Sequence, residues 1–303
     1  MKKLIVICAI IVSFGTNYAR ATGTWTTLDY PGAWDTTPSG ISGSEVVGSY
    51  WQPNTGYGFL YNGTSWSAPY HMPGAYDTMI SGISGNNIVG YYDTSIYGGE
   101  VHGFLYNGTS WTTLDAPGAS HTRASGISGS NIVGNYDNTS GLHAFLYDGT
   151  TWTTIEKPGA TGTQIDGIDG SNLVGTYGDA SGTHSFLYDG TTWTTIEKPG
   201  ADATYLQGID GSNLVGTYQN ASGSHGFLYD GTSWTTLNMP DGTDVVPSGI
   251  DGSNIVGYYY IPGSDNAHGF IYTVPEPTTL FLLGLGGLML RKSFDFAQGR
   301  RRA

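Results

Sequence analysis

The sequence has almost no cysteine and little positive charge. Its one cysteine is Cys8, which excludes a disulfide framework and a cysteine-ligated metal centre. Lysine and arginine number 11 against 24 acidic residues, a formal net charge of -13. A nucleic-acid binder needs a basic surface to neutralise phosphates, and this chain cannot supply one. No apolar run reaches the ~20 residues that cross a hydrocarbon core. Between residues 22 and 273 no stretch carries helical periodicity. What is abundant is glycine, 48 of 303 residues, beside 13% aromatics. That is a composition of turns and packed strands, not of disorder.

Both ends read as addresses. Lys2 and Lys3, the apolar residues 4–14 and the small-x-small site Ala19-Arg20-Ala21 make a secretory signal, with the mature chain starting near Thr22. Cleavage there would remove Cys8. At the other end, Val274-Pro275-Glu276-Pro277 is followed by an apolar run over 280–290 and then by Arg291 and Lys292. This order resembles the PEP-CTERM sorting signal of Gram-negative bacteria. The resemblance implies that Pro275, Glu276 and Pro277 are the sorting motif and that an exosortase-type enzyme processes it. It also implies export through the inner membrane, transient anchoring there by the C-terminal segment, and release to or attachment at the cell surface, often in cells that make exopolysaccharide. Family members usually end soon after the basic residues, whereas residues 293–303 continue here with Arg300, Arg301 and Arg302. The chain therefore divides into a signal (1–21), a body (22–273) and a sorting tail (274–303). In the body, Arg123, Lys157 and Lys198 face 22 acids (all 24 but Glu276 and Asp295), a net charge of -19.

The body is a repeat. Tryptophans recur at 25, 66, 111, 152, 193 and 234, with a Gly-Ile step ending at 41, 83, 127, 168, 209 and 250. Phe-Leu-Tyr or Phe-Ile-Tyr runs start at 59, 104, 145, 186, 227 and 270. In the copy ending at Trp193, strands are expected over 164–168, 172–177, 183–188 and 192–197, with a polar loop over 178–182. Asp169-Gly170 and Asp189-Gly190 are hairpin turns, since glycine accepts their positive φ. Four antiparallel strands every ~41 residues are the signature of a propeller blade, so the fold class is all-β, a six-bladed β-propeller. The last repeat lacks its fourth strand and residues 24–29 form one without a blade, so the N-terminal strand is expected to close the ring. An open β-solenoid is the rival architecture. The repeat also resembles the HAF-type extracellular repeat: His143-Ala144-Phe145-Leu146-Tyr147 carries it literally, and His102, His184, His225 and His268 carry it with Gly or Ser in the middle. That resemblance implies an exported bacterial repeat protein and no particular activity.

Several constellations invite chemistry. The five histidines lie on the third strand, about 17 Å from the axis at ~4.8 Å per strand, too far apart to share one metal. A structural bond to an adjacent loop is expected of them instead. Asp-Gly-Thr-Thr-Trp at 189–193 resembles the sialidase Asp box but is one residue short, and one arginine cannot replace the three that grip a sialic acid. The one ion considered is calcium, near Asp166, Asp169 and Asn172, with Asp210 and Asn213 repeating part of the set. The alternate-position carboxylates of calcium loops are absent, so no cofactor is expected. The Asn-x-Ser/Thr sites at Asn62, Asn107, Asn138 and Asn220 read as turn asparagines.

Loops joining fourth to first and second to third strands share one face and vary most. Variable loops on a repeated scaffold are where binding is carried. The candidate ligand-binding residues are Trp34, Asp35, Trp51, Tyr76, Asp77, His121 and Asp244, with Tyr97 and Tyr260 adding aromatics. Ring faces cover the C–H side of a pyranose, and carboxylates accept hydrogen bonds from its hydroxyls. The expectation is an exported, non-enzymatic surface or matrix protein with exopolysaccharide as partner. The alternative is an extracellular polysaccharide hydrolase or lyase on the same scaffold.

Overall fold

The structure, a computed structural model, describes residues 23–95 and 99–275. The expected signal peptide (1–21), Tyr97 and most of the sorting tail lie outside the described residues. The first strand among the described residues is β1 (Thr24–Thr27). Blade one holds β2 (Asp35–Ser42), β3 (Glu45–Gln52) and β4 (Thr55–Tyr61). Blade two holds β5 (Asp77–Ser84), β6 (Asn87–Asp93), β7 (Val101–Tyr106) and β8 (Trp111–Leu114). Blade three holds β9 (His121–Ser128), β10 (Asn131–Asn138), β11 (Gly141–Tyr147) and β12 (Trp152–Ile155). Blade four holds β13 (Gly162–Asp169), β14 (Asn172–Asp179), β15 (Gly182–Tyr188) and β16 (Trp193–Thr195). Blade five holds β17 (Ala203–Asp210), β18 (Asn213–Asn220), β19 (Gly223–Tyr229) and β20 (Trp234–Leu237). Blade six holds β21 (Thr243–Asp251), β22 (Asn254–Tyr260) and β23 (Ala267–Thr273).

The first strand of each blade lies at the axis. It carries a bulge before the Gly-Ile step in every blade, as between Ile165 and Gly167. There the six strands approach one another through glycine alone. A Cβ on Gly40 would sit 3.1 Å from the Gly82 Cα, one on Gly208 3.3 Å from Gly249, and one on Gly249 3.2 Å from Gly40. Gly82, Gly126 and Gly167 each face the next glycine in the same way, so the ring closes on itself. The chain is a six-bladed β-propeller, and β1 completes the sixth sheet by pairing with β23.

The core is divided into six clusters, and each spans two blades. Val133 and Ala144 of blade three pack with Ile165, Ile168, Leu173, Tyr177 and Phe186 of blade four. Leu28 and Val256 of blade six pack with Val46, Tyr50 and Phe59 of blade one. Burial on both faces explains why the second strands read as apolar runs such as Ile132-Val133 rather than as strict alternation. The hairpin between first and second strands is a two-residue loop led by a glycine at positive φ, 56–62° in all six blades.

Two expectations need correction. Residues 178–182 form not a polar loop but a tight hairpin, because Asp179 pairs with Gly182 and its carboxylate accepts from the Ser181 N–H. Blade one has three regular strands, its fourth being reduced to the bridges Gly58↔Tyr70 and Tyr61↔Trp66. Pro69 stands within that segment and has no N–H to donate.

Candidate functional site

The loop face is built by one rule. In five blades the residue before the first strand donates its N–H to the end of the second strand: Trp34 to Trp51 at 2.9 Å, Tyr76 to Asp93 at 2.6 Å, Ser120 to Asp137 at 2.7 Å, Thr161 to Gly178 at 2.8 Å and Asp202 to Gln219 at 2.8 Å. A buried threonine then ties down the preceding loop, as where the Lys198 N–H donates to the Thr204 hydroxyl at 3.0 Å. The loops are thus held rigidly at their bases while their tips differ.

This brings Trp34, Trp51, Tyr76 and Asp77 into one sector over blades one and two. Trp34 is 58% exposed, and its backbone rests on Trp51. The Tyr76 hydroxyl donates to the Asn54 carbonyl of blade one. Asp77 accepts from the Gly56 N–H at 2.6 Å, and Asp35 from the Ala267 N–H of blade six at 2.6 Å. Each carboxylate therefore fastens its blade to the one before it and keeps one oxygen without a hydrogen-bond partner among the described residues. Tyr260 pairs with Thr243 and Ala267 in blade six. His121 and Asp244 are not in this sector: His121 begins blade three and Asp244 lies in blade six.

The channel mouth adds residues that sequence reasoning missed. Arg123 lies 3.4 Å from the Asp137 carboxylate and over the Tyr91 ring at 5.7 Å. Burial raises the Tyr91 hydroxyl above its ordinary value. Asp93 is raised by burial and then by Asp77, its cross-strand partner, with Arg123 and His121 opposing the shift. The available signal was the first-strand series Thr37, Met79, Arg123, Gln164, Tyr205 and Val246, which varies while its flanking positions stay buried. Deeper in, Ser39, Ser81, Ser125, Asp166, Gln207 and Ser248 ring a narrow channel of about 80 Å³ above the glycines. Burial lifts the Asp166 carboxyl to about 6, against a hydrogen bond from Gln164 that lowers it. The folded state therefore holds this proton above the unfolded value, and stability is lost as pH rises from about 4 to about 6. The shift is worth at most about 3 kcal/mol, reduced because the channel leaves the group partly accessible. Asp166→Asn is expected to stabilise the protein by about 1–3 kcal/mol at pH 7 and not at pH 4. Urea unfolding at both pH values reads the difference, and equal gains would refute it.

The third-strand histidines bind within their blades. Nδ1 meets Asp115 from His102 at 2.9 Å, Glu156 from His143 at 2.5 Å, Glu197 from His184, and Asp29 from His268 at 2.9 Å. In blades three and four the second nitrogen meets a serine, Ser140 at 2.7 Å and Ser181 at 2.8 Å. Serine, histidine and glutamate stand here in the order of a nucleophile triad, but the chemistry is wrong for one. Ser181 donates its hydroxyl proton to Asp179 in its own turn rather than to the ring, and the Glu197 bond raises His184 above the usual imidazole value, which favours the protonated ring that cannot take up a further proton. Of the calcium set, Asp166 faces the channel, while Asp169 and Asp210 accept from the Gly211 and Gly252 N–H groups at 2.8 and 2.7 Å. The Asp-Gly-Thr turns close on themselves, with Asp189 accepting from the Thr191 and Thr192 N–H groups and lowered by those bonds. Asn62, Asn107, Asn138 and Asn220 act likewise.

Comparison with known proteins bears on both fold and address. A PEP-CTERM protein-sorting motif matches residues 273–293, starting on the last residue of β23. The chain is therefore an exported protein whose propeller carries a signal for an exosortase-type enzyme, placing it at the cell surface or outside the cell. No curated protein matches in sequence. Among solved structures, the β-propeller domain of the Trilobed protease from Pyrococcus furiosus is similar at TM-score 0.52 and 9% identity, over 79% of this chain and 95% of that one. It is described as having an open velcro topology, whereas β1 closes the ring here. A catalytically inactive virginiamycin B lyase from Staphylococcus aureus gives TM-score 0.44 at 13% identity, over 84% and 100% of the two chains. Trypanosoma rangeli sialidase gives 0.47 at 11%, over 87% and 58%.

Proposed function

We propose that this exported propeller binds polysaccharide outside the cell through its loop face and leaves the polymer chemically unchanged. The observation that supports this reading is Trp34, 58% exposed, with its backbone N–H bonded to the Trp51 carbonyl in a sector otherwise fastened by hydrogen bonds. An exposed indole on an anchored backbone offers a flat apolar face to a sugar ring, and with two side-chain torsions it costs little to order. The strongly acidic body selects neutral over acidic polymers. The exported protein is expected to be retarded in native gels containing a neutral exopolysaccharide, and Trp34→Ala to weaken that retardation about tenfold, a loss of ~1.4 kcal/mol, with the melting temperature unchanged. Equal retardation of the variant would move the site elsewhere.

The enzymatic reading has one observation in its favour. Asp77 and Asp93 face each other across β5 and β6, Asp93 with a raised carboxyl, as in an acid–base pair for glycoside cleavage. Against it, Asp77 is bound to the Gly56 N–H. New reducing ends that appear with the protein and vanish in Asp93→Asn would replace the binding reading with hydrolysis.

A further inference from the structure

The threonine tether at the loop bases is broken at one junction, between blades five and six. In blades one to five a buried threonine tethers the loop before the first strand, from Thr36 to Thr204. Blade six has Val245 there, which cannot accept the bond. The loop glycine at positive φ, Gly200 in the preceding junction, is replaced by Asp241, and Gly242 follows. β21 gains a second bulge between Thr243 and Val246, with Asp244 at φ 47°. Asp35 and Asp77, its counterparts in blades one and two, bind a neighbouring N–H, whereas the Asp244 carboxylate has no hydrogen-bond partner among the described residues.

The same junction frees a histidine. His225 is held by Ser222 through Nε2 at 2.8 Å and packs against the Tyr218 ring at 5.0 Å, as its counterparts pack against theirs. Where those meet Asp29, Asp115, Glu156 or Glu197, His225 meets Asn238, and no bond joins them. Between these residues lies a cavity of about 370 Å³, floored by Leu237, Met239 and Val245.

From this geometry we propose a second binding site, specific for one or two uncharged sugar rings. The volume lies at the small end of ligand pockets, ~300–1,000 Å³. Its polar groups are His225, Asn238, Ser224 and Asp244, a mixture of donors and acceptors of the kind that sugar hydroxyls require. The aliphatic floor suits the C–H side of a ring. Asp244 and the -19 body oppose acidic sugars. The ligand class rests on the carbohydrate reading above, but binding here does not use Trp34 or Trp51.

The test titrates the exported protein with glucose, galactose, maltose and lactose, and with glucuronate as an acidic control, following the His225 ring signals by NMR. At least one neutral sugar is expected to shift them, and glucuronate is not. Asn238→Glu recreates the pair that blades three and four already hold, so it is expected to fold and melt no lower than the parent, and to bind that sugar about tenfold more weakly or worse. Trp34→Ala is expected to leave this binding intact. The proposal is overturned if no neutral sugar moves the His225 ring, if Asn238→Glu binds equally well, or if only Trp34→Ala weakens binding; the last outcome would retain the loop-face reading alone.

Discussion

A chain lacking residues 24–29 is expected to aggregate and to melt about 10 °C or more below the parent. These residues supply the whole outer strand of blade six. β1 pairs with β23 from Thr24↔Thr273 to Thr27↔Phe270, and the Leu28 N–H continues the ladder to the Gly269 carbonyl at 2.8 Å. Leu28 is 4% exposed in the core shared by blades six and one, where truncating a leucine alone costs about 2–5 kcal/mol. Trp25 covers Phe270 and Tyr272, and Asp29 holds both the His268 ring and the Gly269 N–H. Without them β23 becomes an open edge, a template for pairing with another chain. Calorimetry with light scattering would decide the matter. A truncated protein that stays monomeric and melts like the parent would show that the ring does not depend on this strand.

Gly134→Ala is expected to destabilise the protein by about 4 kcal/mol or more, beyond the usual range for a point substitution. Gly134 faces the first-strand bulge of blade three. A Cβ there would overlap the Arg123 carbonyl oxygen and lie 2.9 Å from the Ala124 Cα. Both are backbone atoms of a strand buried against its neighbours, so neither can rotate aside. Gly48, Gly90, Gly175, Gly216 and Gly257 meet the same obstacle in the other blades. The cost arises from contact, not from φ, since Gly134 is not among the positive-φ glycines. By contrast, Gly162→Ala has no atom within 4 Å of the new methyl group and is expected to change stability by less than about 0.5 kcal/mol. Chemical denaturation of the two variants separates the effects, and similar midpoints would refute the bulge argument.

The sequence by itself determined the blade. Its ~41-residue period, its hairpin glycines and its apolar second strands are local features, and the N-terminal segment resembles the fourth strands closely enough to be recognised as one. The limits of that reading appear at residues 66–70, where one extra residue between the bridges Tyr61↔Trp66 and Gly58↔Tyr70 interrupts the ladder, and at residues 178–182, where Asp179 tightens the hairpin. The tertiary structure decided what the repeated polar groups do, because their partners lie in the next blade. Asp35 and Asp77 read as free sugar acceptors, yet each binds an N–H of the blade before it. Asn135 looks like another strand residue, but its side chain bonds both the N–H and the carbonyl of Ile165, and Ser185 does the same for the Leu206 N–H and the Thr204 carbonyl. A bulge leaves backbone groups unpaired, burial makes them costly, and only the neighbouring blade can reach them. The open cleft beside His225 has the same origin: Asn238 and Val245 are unremarkable as residues, and they matter because the partners present at the other junctions are missing between blades five and six.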